Sequence, residues 1–274
     1  MSNGESTLPS RPFSLPLYLM IVFGLSWPFM ISLAIWNENP TASLVLSSLA
    51  MIMVTAGTYI CGRWVFRDGF KNMGWTWGKP WHYPASFALA LFIFAVPVLI
   101  ENLSGIHTIP AGLAIWPILG IFIAKLVMTT IPGFGEEFGW RAYMLPRLMK
   151  SHGSRKGLLL HGVIWWFWHL PVIVKVGITT SEPGTPVWLT VIVLALITLV
   201  PSMMNAVLYA YVYAKSGSLA VVSVYHSMYD EVRDALEVSV GFGPLVSLWE
   251  MASTAILGGL VLWKANWKTL PGRE

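Results

Sequence analysis

The chain of 274 residues is 55% hydrophobic and 11% charged, with a formal net charge of +4. Soluble globular chains contain roughly 25% charged residues, so this composition excludes an ordinary soluble protein. Apolar runs recur along the whole sequence, and each is about 20 residues long, enough to cross a hydrocarbon core of ~30 Å. The composition therefore predicts a chain that spans a membrane several times.

The apolar runs predict eight transmembrane helices, in chain order at residues 13–36, 41–62, 83–101, 115–149, 156–175, 187–214, 217–238 and 244–264. Most of the segments between them are rich in Gly, Pro and Ser, which end helices. Pro28, Pro97, Pro132 and Pro201 lie inside spans, where neighbouring helices can satisfy the carbonyl groups that proline frees. The prediction is an all-α, multi-pass integral membrane protein with one polytopic domain over residues 1–274, placed in the cell membrane if the source is a prokaryote.

The orientation of these helices follows from the distribution of basic residues. Most Lys and Arg residues fall on one side of an eight-span arrangement, among them Arg63, Lys150, Lys156, Lys215 and Lys264, whereas the other side receives only Lys175 and Arg233. The positive-inside rule then predicts that both the N-terminus and the C-terminus are cytoplasmic. The positive charge thus reflects topology. The expected partners are membrane lipids, and no nucleic-acid partner is expected.

Several ionisable residues remain inside the predicted spans: Lys125, Glu136, Glu137, Arg141, His161, His169, His226 and Asp230. Charges within a membrane are costly, so each is a candidate for function. Measured from the nearest basic cytoplasmic end at ~1.5 Å per residue, Glu136, His169 and His226 lie ~21, ~20 and ~17 Å deep. Three helices therefore place polar groups at a similar depth, near the middle of the membrane.

Helical spacing indicates how these residues pair. Glu137 and Arg141 are four residues apart and can form an ion pair on one helix face, as can His226 and Asp230. The first pair is interpreted as structural rather than catalytic. Lys125 is expected to extend its amine to the outer interface.

Residues 135–148 read GEEFGWRAYMLPRL and resemble the first motif of the CAAX protease and bacteriocin-processing family, also called CPBP or Abi. This family includes the Ras-converting prenyl-protein endopeptidase. Its first motif has two glutamates, three further residues and an arginine, matched here by Glu136, Glu137 and Arg141.

Two further motifs of the family follow in order. The second ends in a histidine with an aromatic residue, usually Phe, four positions earlier; here His169 has Trp165 in that place. The third is a histidine followed at four positions by Asn, and here His226 is followed by Asp230. The resemblance covers about residues 115–232.

The resemblance implies hydrolysis of a peptide bond by an activated water within the membrane. In the favoured mechanism no metal is required, and Glu136 is the general base, assisted by His169. His226 and Asp230 would stabilise the developing oxyanion, with Asp230 uncharged and donating as Asn does. Glu137 and Arg141 would support these residues. In the alternative mechanism Glu136, His169 and His226 bind zinc, leaving one coordination position open.

The resemblance also implies a membrane-bound substrate, either a prenylated CAAX-type protein or another membrane-associated peptide. A proton-coupled transporter is an alternative, because a proton relay would use the same residue types within the membrane. A non-catalytic membrane scaffold is a third possible function. The transporter is less favoured, since the sequence shows no inverted repeat with paired broken helices.

Overall fold

The computed structural model describes residues 10–35 and 39–272, and all their regular secondary structure is helical. The end of the first predicted span, at residue 36, and the two chain termini lie outside the described residues. Ten α-helices follow in chain order: α1 Leu15–Ile35, α2 Pro40–Ile60, α3 His82–Leu103, α4 Ile115–Glu137, α5 Leu145–His152, α6 Ser154–Trp168, α7 Leu170–Thr180, α8 Val187–Ser216, α9 Leu219–Val240 and α10 Pro244–Lys264.

Each of the eight predicted spans has a helical counterpart, and two of them each contain two α-helices. The fourth runs from α4 through a π-helix, Phe138–Met144, into α5. The fifth consists of α6 and α7, which meet at an angle of 50°. By length and composition, six of the described helical segments can cross a membrane, or seven if the bent pair is one span. The chain is thus a multi-pass membrane protein, and α9, which carries five charged residues, falls outside this set.

Local signals explain the boundaries of the helices around the centre of the protein. Gly217 has a φ of 63° and ends α8, and Ser218 then caps α9 by accepting a hydrogen bond from the Val221 amide. Leu170 and Pro171 open α7 directly after His169, and proline at the start of a helix separates it from the one before. These signals leave α8 antiparallel to α9 and produce the bend between α6 and α7.

The start of α10 is held by a buried carboxylate from another helix. Glu101 on α3 is fully buried and accepts hydrogen bonds from the Gly243 and Leu245 amides, at 3.0 and 2.6 Å. These amides have no partner within the helix, and a negative charge is favourable at a helix N-terminus. This contact fixes α10 against α3 and therefore its position beside α8.

We predict that substituted cysteines will report the topology given by the basic residues. His152 at the end of α5 and Lys268 after α10 are exposed, as is Glu182 between α7 and α8. The native Cys61 is buried, so an impermeant maleimide should report each introduced thiol with little background. Cysteines at 152 and 268 should react from the cytoplasmic side, and one at 182 from the other side. Labelling of 152 and 268 from opposite sides would contradict the prediction.

Candidate active site

A close approach between α4 and α9 brings the first and third motifs together. A Cβ atom added at Gly133 would lie 3.2 Å from the Ser223 carbonyl oxygen and 3.5 Å from the His226 Cβ. Small residues let membrane helices pack at short distance, and glycine has this effect here. One turn further along α4, the two glutamates consequently face His226.

Glu137 is the structural centre of this contact. Its Oε1 accepts hydrogen bonds from Arg141 Nη1 at 2.9 Å and from His226 Nδ1 at 2.8 Å. Glu137 and Arg141 are both fully buried, and the predicted ion pair between them is present. Because the carboxylate holds Nδ1, the His226 ring is oriented with Nε2 as its free nitrogen.

Glu136 has one carboxylate oxygen engaged and one available. Its Oε1 accepts a hydrogen bond from the Trp165 indole and lies 3.7 Å from Arg141 Nη1. Its Oε2 is 3.9 Å from His226 Nε2, which is too long for a direct hydrogen bond. A water molecule beside these two atoms could contact both.

Arg141 lies in the π-helix between two aromatic rings. The guanidinium carbon is 4.6 Å from the centre of the Trp165 ring and 4.6 Å from that of Tyr209. A guanidinium stacks on aromatic faces in this geometry, which an ammonium group cannot reproduce in the same way. Single-turn π-helices are rare in proteins as a whole, but many of those that occur lie at functional sites. This one directly follows the two glutamates.

His169 lies at the bend between α6 and α7. Its Nδ1 is 2.8 Å from the Trp165 carbonyl oxygen, which can only accept a hydrogen bond. The ring therefore carries a proton on Nδ1, and the neutral tautomer has its lone pair on Nε2. Trp165 and Trp168 pack edge-on against the ring, each with centroids 4.7 Å away. The bent segment thus presents a histidine whose Nε2 can accept a proton.

One cavity of about 260 Å³ collects all four residues predicted to be catalytic. Glu136, His169, His226 and Asp230 line it together with residues that the sequence reasoning did not single out: Asn205, Tyr209, Arg233 and Glu250. Asn205 and Glu250 carried a usable signal, because each is a polar residue inside a predicted span. The sequence gave no signal that Trp165 contacts Glu136, since only the structure shows that its indole donates to that carboxylate.

Asp230 lies at the edge of this group and has charged neighbours on both sides. Its Oδ2 is 3.5 Å from His226 Nε2, and its Oδ1 is 3.4 Å from Arg233 Nη1. The side chain is 35% exposed, unlike the buried glutamates. The sequence predicts an uncharged Asp230 in an apolar setting, whereas the structure places the Arg233 guanidinium 3.4 Å from its carboxyl group.

Two of the intramembrane ionisable residues lie away from the cavity. The sequence predicts that Lys125 extends its amine to the outer interface; its side chain is 45% exposed, and the amine lies 3.5 Å from Glu231 and 3.7 Å from Asp234 on α9. These ion pairs link α4 to α9 beyond the cavity. His161 is fully buried within α6.

The described residues contain one close group of three possible metal ligands, formed by Glu136, Glu137 and His226, with ligand atoms within 4.8 Å of one another. In this group Glu137 stands where the zinc alternative has His169. Arg141 already supplies a positive charge at 2.9 Å from Glu137 and 3.7 Å from Glu136. A divalent cation at the same carboxylates would face this guanidinium, so the donor set fits a metal poorly.

Comparison with known proteins agrees with the motifs. Residues 118–232 match the family model described as type II CAAX prenyl endopeptidase, Rce1-like. The matched segment contains all three motifs and confirms the resemblance to the CAAX protease family. No curated protein matches the chain at a significant level.

Proposed function

Because residues 118–232 match the Rce1-like CAAX protease family, we propose that the protein is an intramembrane endopeptidase that cleaves a membrane-associated, prenylated CAAX-type protein or peptide. The single observation that supports the chemistry is the cavity in which Glu136, His169, His226 and Asp230 meet. A carboxylate and two imidazoles in one cavity can hold a water molecule, accept its proton and stabilise an oxyanion.

The first step of the proposed reaction is the activation of water. Glu136 acts through Oε2, because its Oε1 is held by Trp165. His169 assists with Nε2, the nitrogen that carries the lone pair in its neutral tautomer. The water gives its proton to Glu136 and its oxygen attacks the peptide carbonyl carbon. The proton then passes to the amine that leaves when the peptide bond breaks.

The second contribution is stabilisation of the tetrahedral intermediate. As an imidazolium, His226 donates through Nδ1 to Glu137 and through Nε2 toward the oxygen on which negative charge develops. Glu137 and Arg141 keep this ring in place, so they are positioning residues rather than catalytic ones. Since Arg141 opposes a cation at the two glutamates, no step of this mechanism uses a metal.

The test of the proposed function is cleavage by the purified protein in detergent or liposomes. Farnesylated CAAX peptides and the same peptides without the lipid are incubated with the enzyme, with and without a chelator, and the products are analysed by mass spectrometry. We expect new peptide termini from the farnesylated peptide, and no loss of activity with the chelator. A transporter or a scaffold would release no fragment from any of these peptides. Loss of cleavage in the chelator, restored by zinc, would favour the metalloprotease alternative.

Asp230 provides a separate prediction, because it stands where the family usually has Asn. We expect Asp230→Asn to retain activity within about tenfold, since an amide preserves the contact with His226 and can donate to an oxyanion. Asp230→Ala should lose most activity, because it removes the contact altogether. The measurement is kcat/KM for both variants on one cleavable peptide. A folded but inactive Asp230→Asn would mean that the site needs the negative charge.

A further inference from the structure

A second cavity, of about 320 Å³, lies between α8 and α10. Its walls carry polar side chains from both helices: Thr198, Ser202 and Asn205 on α8, and Ser247, Glu250 and Thr254 on α10. Residues spaced by three and four positions share one face of a helix, so each helix presents a polar stripe to the other. The Thr198 and Thr254 hydroxyls donate to backbone carbonyl groups of their own helices, and their oxygens can still accept a hydrogen bond from a group in the cavity.

This cavity adjoins the catalytic cavity. Asn205, Tyr229 and Glu250 line both of them, so the two cavities adjoin at these three side chains. The Tyr229 hydroxyl donates a hydrogen bond to Glu250 Oε1 at 2.8 Å, which joins α9 to α10 at this place. At the other end the cavity is lined by Ile197, which is 48% exposed, and by the exposed Ser247. It therefore extends from the catalytic cavity to the outer, lipid-facing surface.

Asn205 is the polar group at the inner end of this cavity. The residue is only 8% exposed, yet its Oδ1 accepts no hydrogen bond from any described residue. A buried amide oxygen without a partner is unfavourable and needs an explanation. A peptide unit offers both an N–H donor and a carbonyl acceptor, and so complements an asparagine side chain fully.

We propose that the cavity between α8 and α10 is a peptide subsite that holds the extended segment on one side of the scissile bond, with Asn205 hydrogen-bonding its backbone. This inference rests on the proposed function. An extended chain leaves its amides unpaired, and the two facing polar stripes can bind them. A lipid acyl chain has no groups that could use these stripes.

The test is site-directed disulfide crosslinking. Cys61 is the only cysteine of the chain and is buried, so the thiol of Ser247→Cys can be addressed alone. The variant is prepared with Glu136→Gln to prevent turnover and is mixed with cleavable peptides that carry one cysteine at increasing distance from the scissile bond. Leu248→Cys is the matched control, since Leu248 is 58% exposed and does not line the cavity. We expect Ser247→Cys to crosslink at one or two neighbouring peptide positions, and Leu248→Cys at none.

A kinetic measurement complements the crosslinking. Asn205→Leu should raise KM about tenfold more for a peptide long enough to fill the subsite than for a truncated peptide. Val200→Leu, on the exposed side of α8, is the control. Equal crosslinking at 247 and 248, or an unchanged KM in a folded Asn205→Leu enzyme, would overturn the subsite. A fall in kcat that is the same for both peptide lengths would also overturn the subsite. It would indicate that the cavity between α8 and α10 is a path for water instead. Failure of the wild type to cleave any peptide would instead refute the proposed function.

Discussion

Glu136→Gln will lower kcat by about a thousandfold, in the range expected for removal of a general base, while the protein remains folded. The amide oxygen of Gln can still accept the hydrogen bond from Trp165, so the surroundings of the side chain are preserved. What is lost is the basic oxygen, because an amide cannot accept the proton of the attacking water. The measurement is single-turnover cleavage of one peptide, with detergent-solubilised protein that elutes as a single species.

The control for this variant is Glu237→Gln, the same substitution at an exposed position of α9. It should cleave at the wild-type rate. Substantial activity in Glu136→Gln would contradict the assignment of Glu136 as the base. His169 would then be the group to examine, since its Nε2 is the other proton acceptor at the cavity.

Arg141→Met will destabilise the protein by about 3–5 kcal/mol, the cost expected when one partner of a buried ion pair is removed. Met fills part of the space, but Glu136 and Glu137 would lose their shared cation inside a fully buried site. The stacking of the guanidinium between Trp165 and Tyr209 would be lost as well. We expect a large fall in the thermal unfolding midpoint in detergent.

Two comparisons isolate the buried charge as the cause. Arg147→Met breaks an ion pair with Asp68 in which the two side chains are 22% and 23% exposed, so solvent partly screens the stranded carboxylate and the loss of stability should be smaller than for Arg141→Met. Adding Glu137→Gln to Arg141→Met removes one of the two stranded carboxylates and should recover part of the stability. If Arg141→Met were as stable as Arg147→Met, the two glutamates would not depend on this cation.

Much of the architecture could be predicted because the membrane imposes simple length and composition rules on the chain. The eight apolar runs became eight helical segments with boundaries within a few residues, apart from the longer extension of α6 through α7 to Thr180. The convergence of Glu136, His169 and His226 also followed from depth, since helical rise is nearly constant and these residues share a level. The side of the membrane on which the termini lie stays a prediction.

The finer features of the site depended on tertiary packing. The π-helix after Glu137 has no clear sequence signal, because it forms where the packing around Arg141 accommodates one extra residue per turn. The Trp165 position reads as a simple aromatic replacement, yet its indole N–H is a polar contact of Glu136. Asn205 and Glu250 match none of the three motifs, so the family resemblance gave no reason to place them at the site.

The single free oxygen of Glu136 has a consequence for the direction in which a substrate can lie. With Oε1 engaged by Trp165, a water activated at Oε2 reaches a bound carbonyl from one side only. The two faces of a peptide carbonyl are not equivalent in a chain of L-residues, and they exchange places when the chain is reversed. An enzyme built in this way would accept the polypeptide in one N-to-C polarity relative to the membrane. Every cleavage would then release its new amino terminus toward the same leaflet.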